Sequence, residues 1–339
     1  MITNEDVVMA YRVLQGREPE SAEVIQGWIE NAPLQQDLLV GIITSDEFQR
    51  RMQGRLTAGH FRVAQDCTPM DIDMTVTPEQ LDQLFAKIKD QWEKIGGTEA
   101  HWSVLSDERY RSANLAESIA PFYATGAKEL STLRSYLKRN GLELESFTTC
   151  FELGCGVGRI TSHLVDAFPS VIAADISGGH LQIAHERLAK RANLRLKKLD
   201  FIAELDDIRG FDFFYSIIVL QHNPPPVIRW MLVTILRNLA DAGVAFFQIP
   251  SYYENYQFRV ESYLHEGLQS CWNVSDPLHE HWGNPAEEII YDAHPLPQRE
   301  VFRICREAGC EVMEVREDDW VGEQRHSISN SYLVRKRVV

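Results

Sequence analysis

Nine residues near the middle of the chain, positions 151–159 with the sequence FELGCGVGR, constrain the fold more than any other stretch. Glu152 precedes three glycines at every second position, Gly154, Gly156 and Gly158. A run with β propensity leads into these glycines, and a helix-like run follows them. Glycines let a backbone turn tightly and approach a ligand closely, and the start of a helix offers free N–H groups. The segment therefore predicts a strand, a glycine loop and a helix that together hold a nucleotide-like cofactor.

The spacing of the glycines distinguishes two classes of cofactor. The dinucleotide fingerprint G-x-G-x-x-G brings a pyrophosphate to the helix N-terminus. In this chain the third glycine comes one residue early, and an acid stands just before the loop. The pattern E-x-G-x-G-x-G resembles the first motif of the class I S-adenosylmethionine-dependent methyltransferases, in which the loop lies against the amino-acid part of the cofactor. A nicotinamide-dependent oxidoreductase remains the alternative.

The resemblance implies a set of cofactor contacts in and after the loop. In the loop they are Glu152, Gly154, Cys155, Gly156, Gly158 and Arg159. The next predicted strand, residues 171–175, is apolar and ends in Asp175, and an acid about 20 residues past the loop is positioned for ribose hydroxyls. Ile176 and Ser177 would follow it towards the adenine. The alternative is that Asp175 caps the next helix.

Two further strand ends follow the order of the same family. The strand at 194–199 ends at Asp200 and Phe201, which the resemblance places at the adenine amino group and ring. Asp200 could instead cap the short segment after it. The strand at 211–219 ends at Val219 and leads into Leu220 and Gln221. The resemblance places these three residues at the cofactor. With a further strand at 243–249, these matches predict an α/β fold with a Rossmann-like seven-stranded methyltransferase sheet and an N-terminal all-α extension.

His222 is the candidate general base, because it directly follows the fourth strand and histidine accepts a proton near neutral pH. The alternative is that its ring nitrogens only brace the loop. Upstream, the run APFYATG resembles methyltransferases of bacterial polysaccharide and glycan clusters, which implies that Tyr123 and Gly126 approach the methionine end of the cofactor. Plain core packing is the alternative for Tyr123. The resemblance also implies that Trp102 lines the substrate mouth, and the predicted substrate contacts in the lid are Tyr252, His281 and His294. Core packing is the alternative for Trp102, and packing of the lid onto the sheet is the alternative for the other three.

The order of helical, irregular and α/β patterns predicts three parts. Residues 1–60 form a helical accessory domain, residues 61–105 a linker and a helix, and residues 106–339 the methyltransferase domain, with a lid insertion at about 250–297. The accessory part resembles a small helical domain of bacterial envelope and glycan enzymes, which implies docking or oligomerisation; a plain helical extension is the alternative. Within 61–105, Thr77 and Pro78 predict the start of a helix, and Gly96 with Gly97 predicts its end.

Composition excludes several classes of partner. A net charge of −15 disfavours a nucleic-acid substrate, whose backbone is bound by clustered Lys and Arg. No apolar run approaches the roughly 20 residues of a membrane span. The N-terminus lacks the layout of a signal peptide, and the six cysteines show no paired spacing, so a cytoplasmic location is expected. Asp276, His279 and His281 could ligate a metal, but we predict none.

The sequence thus predicts an S-adenosylmethionine-dependent methyltransferase. The acceptor is expected to be a hydroxyl on a glycan or a glycosylated small molecule, because the segment 250–297 is rich in Tyr, His and Trp. An N-methyltransferase for a small amine, an oxidoreductase and a non-catalytic scaffold that keeps the cofactor pocket are the alternatives.

Overall fold

The structure is a computed structural model, and it describes residues 2–15, 17–32, 34–45, 48, 69–253, 256–266, 292–318 and 327–338. The described residues fall into two compact units. The first contains the described residues up to Phe48, and the second contains those from Pro69 onward.

The first unit is helical. Helix α1 (Asn4–Ala10) continues into a π turn, and α2 (Ala22–Asn31) and α3 (Gln35–Thr44) follow. The Thr3 hydroxyl accepts a hydrogen bond from the Asp6 N–H, and the Asp6 carboxylate accepts one from the Thr3 N–H, so the first helix has a reciprocal cap. Apolar residues at helical spacing, Val7, Leu38 and Ile42 among them, form its core.

The second unit contains nine strands and nine helices among its described residues. The strands are β1 (Asp71–Ile72), β2 (Thr149–Leu153), β3 (Ser170–Asp175), β4 (Leu194–Lys198), β5 (Phe211–Ser216), β6 (Leu239–Tyr253), β7 (Gln257–Phe258), β8 (Cys310–Asp318) and β9 (Ser327–Lys336). The helices are α4 (Pro78–Thr98), α5 (Ala100–Val104), α6 (Leu115–Ala124), α7 (Gly126–Arg139), α8 (Thr161–Ala167), α9 (Gly178–Leu188), α10 (Pro225–Asn238), α11 (Val260–Glu266) and α12 (Gln298–Glu307).

Seven strands form one sheet in the order β4-β3-β2-β5-β6-β9-β8. Strands β2 to β6 pair in parallel, and β9 runs antiparallel between β6 and β8. The predicted Rossmann-like seven-stranded sheet is confirmed. The order reverses between β2 and β5, and such a switch point creates a crevice at the carboxyl ends of the strands.

The sheet is buried on both faces. Successive side chains along a strand point to opposite sides, so neighbouring residues pack into different cores. Phe214 and Phe247 pack into the core on one face, and their neighbours Phe213 and Phe246 pack into the core on the other. Strands β1 and β7 form a separate parallel pair, which the sequence pattern did not predict. Most of the predicted lid at 250–297 lies outside the described residues.

The predicted end of helix α4 at Gly96 and Gly97 is wrong, because the helix runs through both glycines to Thr98. Its predicted start is as expected: the Thr77 hydroxyl accepts from the Gln80 N–H at 3.2 Å. The start of α9 packs so closely against Gly96 that there is no room for a side chain at this position. A Cβ there would lie 2.1 Å from the Ser177 Oγ and 2.8 Å from the His180 Nδ1. A Cβ on Gly97 would meet nothing within 4 Å.

We therefore expect opposite effects from the same substitution at these neighbouring positions. Gly96→Ala should destabilise the protein by about 1–3 kcal/mol, because the added methyl overpacks the contact between α4 and α9. Gly97→Ala is the matched control and should stabilise it by up to about 1 kcal/mol, because alanine favours the helix. Urea unfolding of both variants measures the difference. Equal effects of the two substitutions would contradict the close approach at Gly96.

Candidate functional site

A cavity lies at the switch point, against the carboxyl ends of β2, β3 and β5. Helices α4 and α5 contribute a further part of the wall, and α9 and α10 contribute one residue each. The lining residues are Ile88, Trp92, Ser103, Val104, Glu152, Leu153, Gly154, Cys155, Gly156, Arg159, Ile160, Asp175, Ile176, His180, Ile217, Ile218, Val219, His222, Asn223 and Met231. Most of this wall is apolar, and two carboxylates, two imidazoles and one guanidinium stand out on it.

The glycine loop follows β2, and its first glycine is required by two features. Gly154 has φ of +75°, which disfavours other residues, and a Cβ there would lie 2.2 Å from a methyl carbon of Val219. Its N–H donates to the Ala174 carbonyl oxygen at 2.8 Å, so the loop stays attached to β3. The backbone of the loop thus forms part of the cavity wall and lies directly against the segment after β5.

The Asp175 carboxylate joins the loop to the next helix. Its Oδ2 accepts a hydrogen bond from the Gly156 N–H at 2.8 Å, and its Oδ1 accepts one from the Ser177 N–H at 2.9 Å. The side chain is buried and lines the cavity. A carboxylate oxygen can accept more than one hydrogen bond, so Asp175 keeps acceptor capacity for a ligand.

Glu152 is a buried acid at the end of β2. Burial raises the pKa of Glu152 to about 7, although the hydrogen bond from Thr161 and the charge of Arg159 oppose this shift. The Thr161 hydroxyl donates to the Glu152 Oε2 at 2.7 Å. The guanidinium of Arg159 contacts Thr125 at 3.1 Å and Glu129 at 3.6 Å. Two acids on one wall therefore favour a ligand that carries a cation or hydroxyl donors there.

His222 lies across the switch point from the glycine loop, in a 3₁₀ turn after β5. Its Nδ1–H donates to the carbonyl oxygen of Asp292 at 2.6 Å, which leaves Nε2 with the lone pair. Burial lowers the pKa of His222 to about 4, although the hydrogen bond to Asp292 opposes this shift. The ring lies 5.1 Å from that of Trp92, centroid to centroid. His222 therefore lines the cavity as a neutral imidazole with its proton on Nδ1.

The structure brings about half of the predicted site residues together on the cavity wall. They are Glu152, Gly154, Cys155, Gly156, Arg159, Asp175, Ile176, Val219 and His222. Four others lie just behind it. Gly158 packs against α9, the Ser177 hydroxyl accepts from the His180 N–H, Leu220 is in the core, and Gln221 bonds to Gln248.

Asp200 and Phe201 are not brought to the cavity wall. The Asp200 carboxylate pairs with Lys89 at 3.1 Å and Lys198 at 3.3 Å, and the Phe201 side chain is 69% exposed. The alternative role of Asp200 as a cap is not seen either. Glu204 caps that 3₁₀ turn, because its Oε2 accepts from the N–H groups of Asp200 and Phe201. An exposed strand end and two nearby lysines explain where the Asp200 side chain lies.

Tyr123, Gly126 and Trp102 also lie off the wall. The Tyr123 hydroxyl donates to the Val157 carbonyl oxygen at 3.2 Å, so this residue supports the glycine loop from behind. A Cβ on Gly126 would lie 2.6 Å from the Arg159 carbonyl oxygen, so this glycine packs against the end of the loop. The Trp102 ring is buried, and the guanidinium of Arg111 lies 4.0 Å from its centroid.

The predicted substrate contacts in and after β6 lie in different surroundings. Tyr252 is buried, and His294 belongs to a buried polar cluster behind His222. The His294 Nδ1 lies 2.6 Å from the Tyr256 hydroxyl, and the Tyr263 hydroxyl donates to Asp292 at 2.6 Å. His281 lies outside the described residues, as do Asp276 and His279, the residues considered for a metal. No metal-binding cluster is found among the residues that the structure describes.

Sequence reasoning missed the contribution of α4 and α5 to the wall, namely Ile88, Trp92, Ser103 and Val104. The apolar face of α4 was visible in the sequence, but it predicts only burial. Asn223 and Met231 were missed as well. For Asn223 the adjacent His222 was a usable signal, since both belong to the loop after the fourth strand.

Comparison with known proteins agrees with this geometry. Residues 151–243 match the family model described as a methyltransferase domain. This match confirms the predicted enzyme class, an S-adenosylmethionine-dependent methyltransferase, and with it the predicted cofactor. No curated protein matches the chain. Among the described residues, no helix is long and apolar enough to cross a membrane.

Many solved structures have a similar fold. Magnesium protoporphyrin IX methyltransferase from Synechocystis PCC 6803, with bound S-adenosylhomocysteine, is 15% identical; the match covers 75% of this chain and 100% of that one, with a TM-score of 0.48. The N-methyltransferase NodS from Bradyrhizobium japonicum WM9 is 13% identical over 74% and 98% of the two chains, with a TM-score of 0.45. An S-adenosylmethionine-dependent methyltransferase from Clostridium acetobutylicum ATCC 824 is 14% identical over 60% and 89%, with a TM-score of 0.41.

The raised pKa of Glu152 predicts a pH-dependent contribution to stability. The folded protein holds this proton more tightly than the unfolded chain, so the contribution is full below pH 4.5 and is lost as the pH rises through about 7. The loss should reach about 3 kcal/mol. Urea unfolding of the unliganded protein and of Glu152→Gln between pH 5 and pH 8 tests this. The wild type should lose stability relative to the variant as the pH rises, and a constant difference would contradict the assignment.

Asp175, the last residue of β3, and Asp200, just after β4, should differ in their effect on ligand affinity. Asp175→Asn should weaken binding of S-adenosylhomocysteine by about tenfold or more. The substitution replaces one of the two acceptor oxygens of Asp175 with an NH₂ group, which cannot accept a hydrogen bond. Asp200→Asn is the matched control and should change affinity by less than about threefold, since this side chain faces lysines and solvent. Isothermal titration calorimetry measures both, and circular dichroism checks folding. Equal losses of affinity in the two variants would indicate that Asp200 also contributes to ligand binding.

Proposed function

We propose that the second unit transfers a methyl group from S-adenosylmethionine to a hydroxyl on a glycan or a glycosylated small molecule. The observation that carries this proposal is the neutral His222, which lines a cavity that also holds two carboxylates. A hydroxyl nucleophile needs a base that is unprotonated at working pH, and this site supplies one.

The chemistry of the wall suits this cofactor better than a dinucleotide. Glu152 and the glycine loop would hold the amino-acid end, where a carboxylate favours an ammonium group. Asp175 would accept hydrogen bonds from the ribose hydroxyls with the acceptor capacity that its two backbone partners leave. Ile176 and Val219 would contact the adenine. A pyrophosphate would meet both carboxylates, and the guanidinium of Arg159 already contacts Thr125 and Glu129.

His222 is assigned the role of general base. The bound cofactor supplies an electrophilic methyl group on a sulfonium. The His222 Nε2 would accept the hydroxyl proton as the oxygen attacks, while the Nδ1–H bond to Asp292 holds the ring in place. A pKa of about 4 keeps His222 unprotonated above about pH 5, so proton uptake by the free enzyme does not switch off the site at neutral pH.

The glycan as acceptor is supported by Trp92 and by the sequence resemblance to enzymes of polysaccharide clusters. The Trp92 ring lies on the wall, 5.1 Å from His222, so a flat acceptor could stack on it with a hydroxyl towards Nε2. We keep the domain limits 1–60, 61–105 and 106–339 as part of the proposal, with a cytoplasmic location. The first unit exposes Met9, Leu34 and Val40, which supports docking or homo-oligomerisation through its helices.

Methyl transfer itself is tested with isotopically labelled S-adenosylmethionine and cell-envelope extracts. Label should enter a carbohydrate fraction, and mass spectrometry should show acceptors heavier by one methyl group on oxygen. Label in amine products alone would favour N-methylation, and no incorporation into any acceptor would favour the scaffold alternative.

His222→Gln should reduce turnover by about 100-fold or more, because general bases contribute this much to rate, while the Kd for S-adenosylhomocysteine stays within about threefold. His185→Gln, an exposed position on α9, is the matched control and should keep full turnover. Steady-state kinetics with the acceptor found above, together with calorimetry, measures both quantities. Full turnover of His222→Gln would leave this residue only the role of a brace.

A further inference from the structure

The wall of the cavity contains a backbone conformation that its residue type disfavours. Ile218, two residues beyond the end of β5, has φ of +56°. A β-branched residue in the left-handed region is an outlier that persists only when its surroundings hold it there. Ile218 and its neighbour Val219 both line the cavity. The question is therefore which contact keeps this segment in place.

The contact comes from outside the cavity, from a side chain on β6. The Gln248 Oε1 accepts a hydrogen bond from the Ile218 N–H at 3.0 Å. Because a backbone N–H can only donate, this bond fixes which end of the amide faces Ile218. The Gln248 Nε2 then donates to the Gln221 Oε1 at 3.0 Å and to the Ser329 Oγ at 2.8 Å. The side chain is fully buried, and all its polar capacity except one lone pair is used.

The same amide reaches the imidazole through Gln221. With its Oε1 facing Gln248, Gln221 turns its Nε2 towards the His222 Nε2, at 3.5 Å. An amide N–H opposite this nitrogen fits a lone pair there and not a proton. The Nδ1–H bond to Asp292 requires the same tautomer, so two contacts from different segments agree.

We propose that Gln248 is the positioning residue of this site: it clamps Ile218 in the left-handed conformation and orients Gln221 against His222. This inference rests on the proposed cofactor site. The clamp matters for binding because Val219, directly after Ile218, lies against Gly154 of the glycine loop with no room for a Cβ between them. If Ile218 relaxed to negative φ, Val219 would move relative to the loop, and the width of the cavity would change.

A double-mutant cycle between Gln248 and Ile218 tests the clamp. Gln248→Met keeps the length of the side chain and removes its hydrogen bonds, so the Kd for S-adenosylhomocysteine should rise about tenfold or more. Ile218→Gly takes positive φ without a clamp. In the Ile218→Gly background, Gln248→Met should therefore raise the Kd by less than about threefold. Isothermal titration calorimetry of the four proteins gives the coupling free energy between Gln248 and Ile218. If Gln248→Met changes the Kd by the same factor in the two backgrounds, the proposal is overturned.

Ser329→Ala is the matched control because it removes another hydrogen bond of the same amide without touching Ile218. It should change the Kd by less than about threefold in either background. If Ser329→Ala reproduces the effect of Gln248→Met, loss of any buried hydrogen bond is sufficient and the specific clamp is refuted.

Failure of the clamp can be told apart from failure of the proposed function. Thermal unfolding of the same four proteins needs no ligand, and Gln248→Met should lower the Tm more with Ile218 present than in the Ile218→Gly background. If the wild type binds no S-adenosylhomocysteine but this difference in Tm is found, the cofactor assignment fails and the clamp stands. If binding is normal and the Tm changes are additive, the clamp fails and the cofactor assignment stands.

Discussion

The site depends on one buried carboxylate. Asp175 ends β3, and its two oxygens accept N–H groups from the glycine loop and from the start of α9. A buried polar group is tolerated only where hydrogen bonds replace those of water, and here the backbone supplies them. The bonds also fix the distance between the loop after β2 and the segment after β3. The cavity at the switch point therefore has a rigid polar edge before any ligand enters.

Burial acts in opposite directions on the two titratable groups that flank this edge. It raises the pKa of Glu152 to about 7 and lowers the pKa of His222 to about 4. Both shifts favour the neutral form, so the unliganded cavity avoids two desolvated charges. A cationic ligand would reverse this preference at Glu152, because an ammonium group stabilises the carboxylate. A positively charged ligand, such as a sulfonium cofactor, would therefore favour the ionised form of Glu152.

The backbone of this arrangement could be predicted from the sequence, because strand patterns, glycines and strand-end acids are local signals. Glu152, the glycine loop and Asp175 were found in this way. Asp200 could not be separated from Asp175 by pattern, since both stand at a strand end. The ion pairs of Asp200 with Lys89 and Lys198 distinguish them. Gly96 was misread because glycine is used both at helix ends and where two helices pack closely. Gln248 gave no signal, since its partners are distant in sequence.

A base with a pKa of about 4 is weak, and the proposed reaction makes this acceptable. The methyl group on a sulfonium is already activated, so the base need only receive the proton late, as the oxygen–carbon bond forms. A base with a pKa near 7 would accept the proton more strongly but would be half protonated at neutral pH. An imidazolium would also stand beside a sulfonium and repel it. Burial of His222 beside Trp92, with its tautomer set by Asp292 and Gln221, therefore lowers its proton affinity but keeps its Nε2 unprotonated at neutral pH.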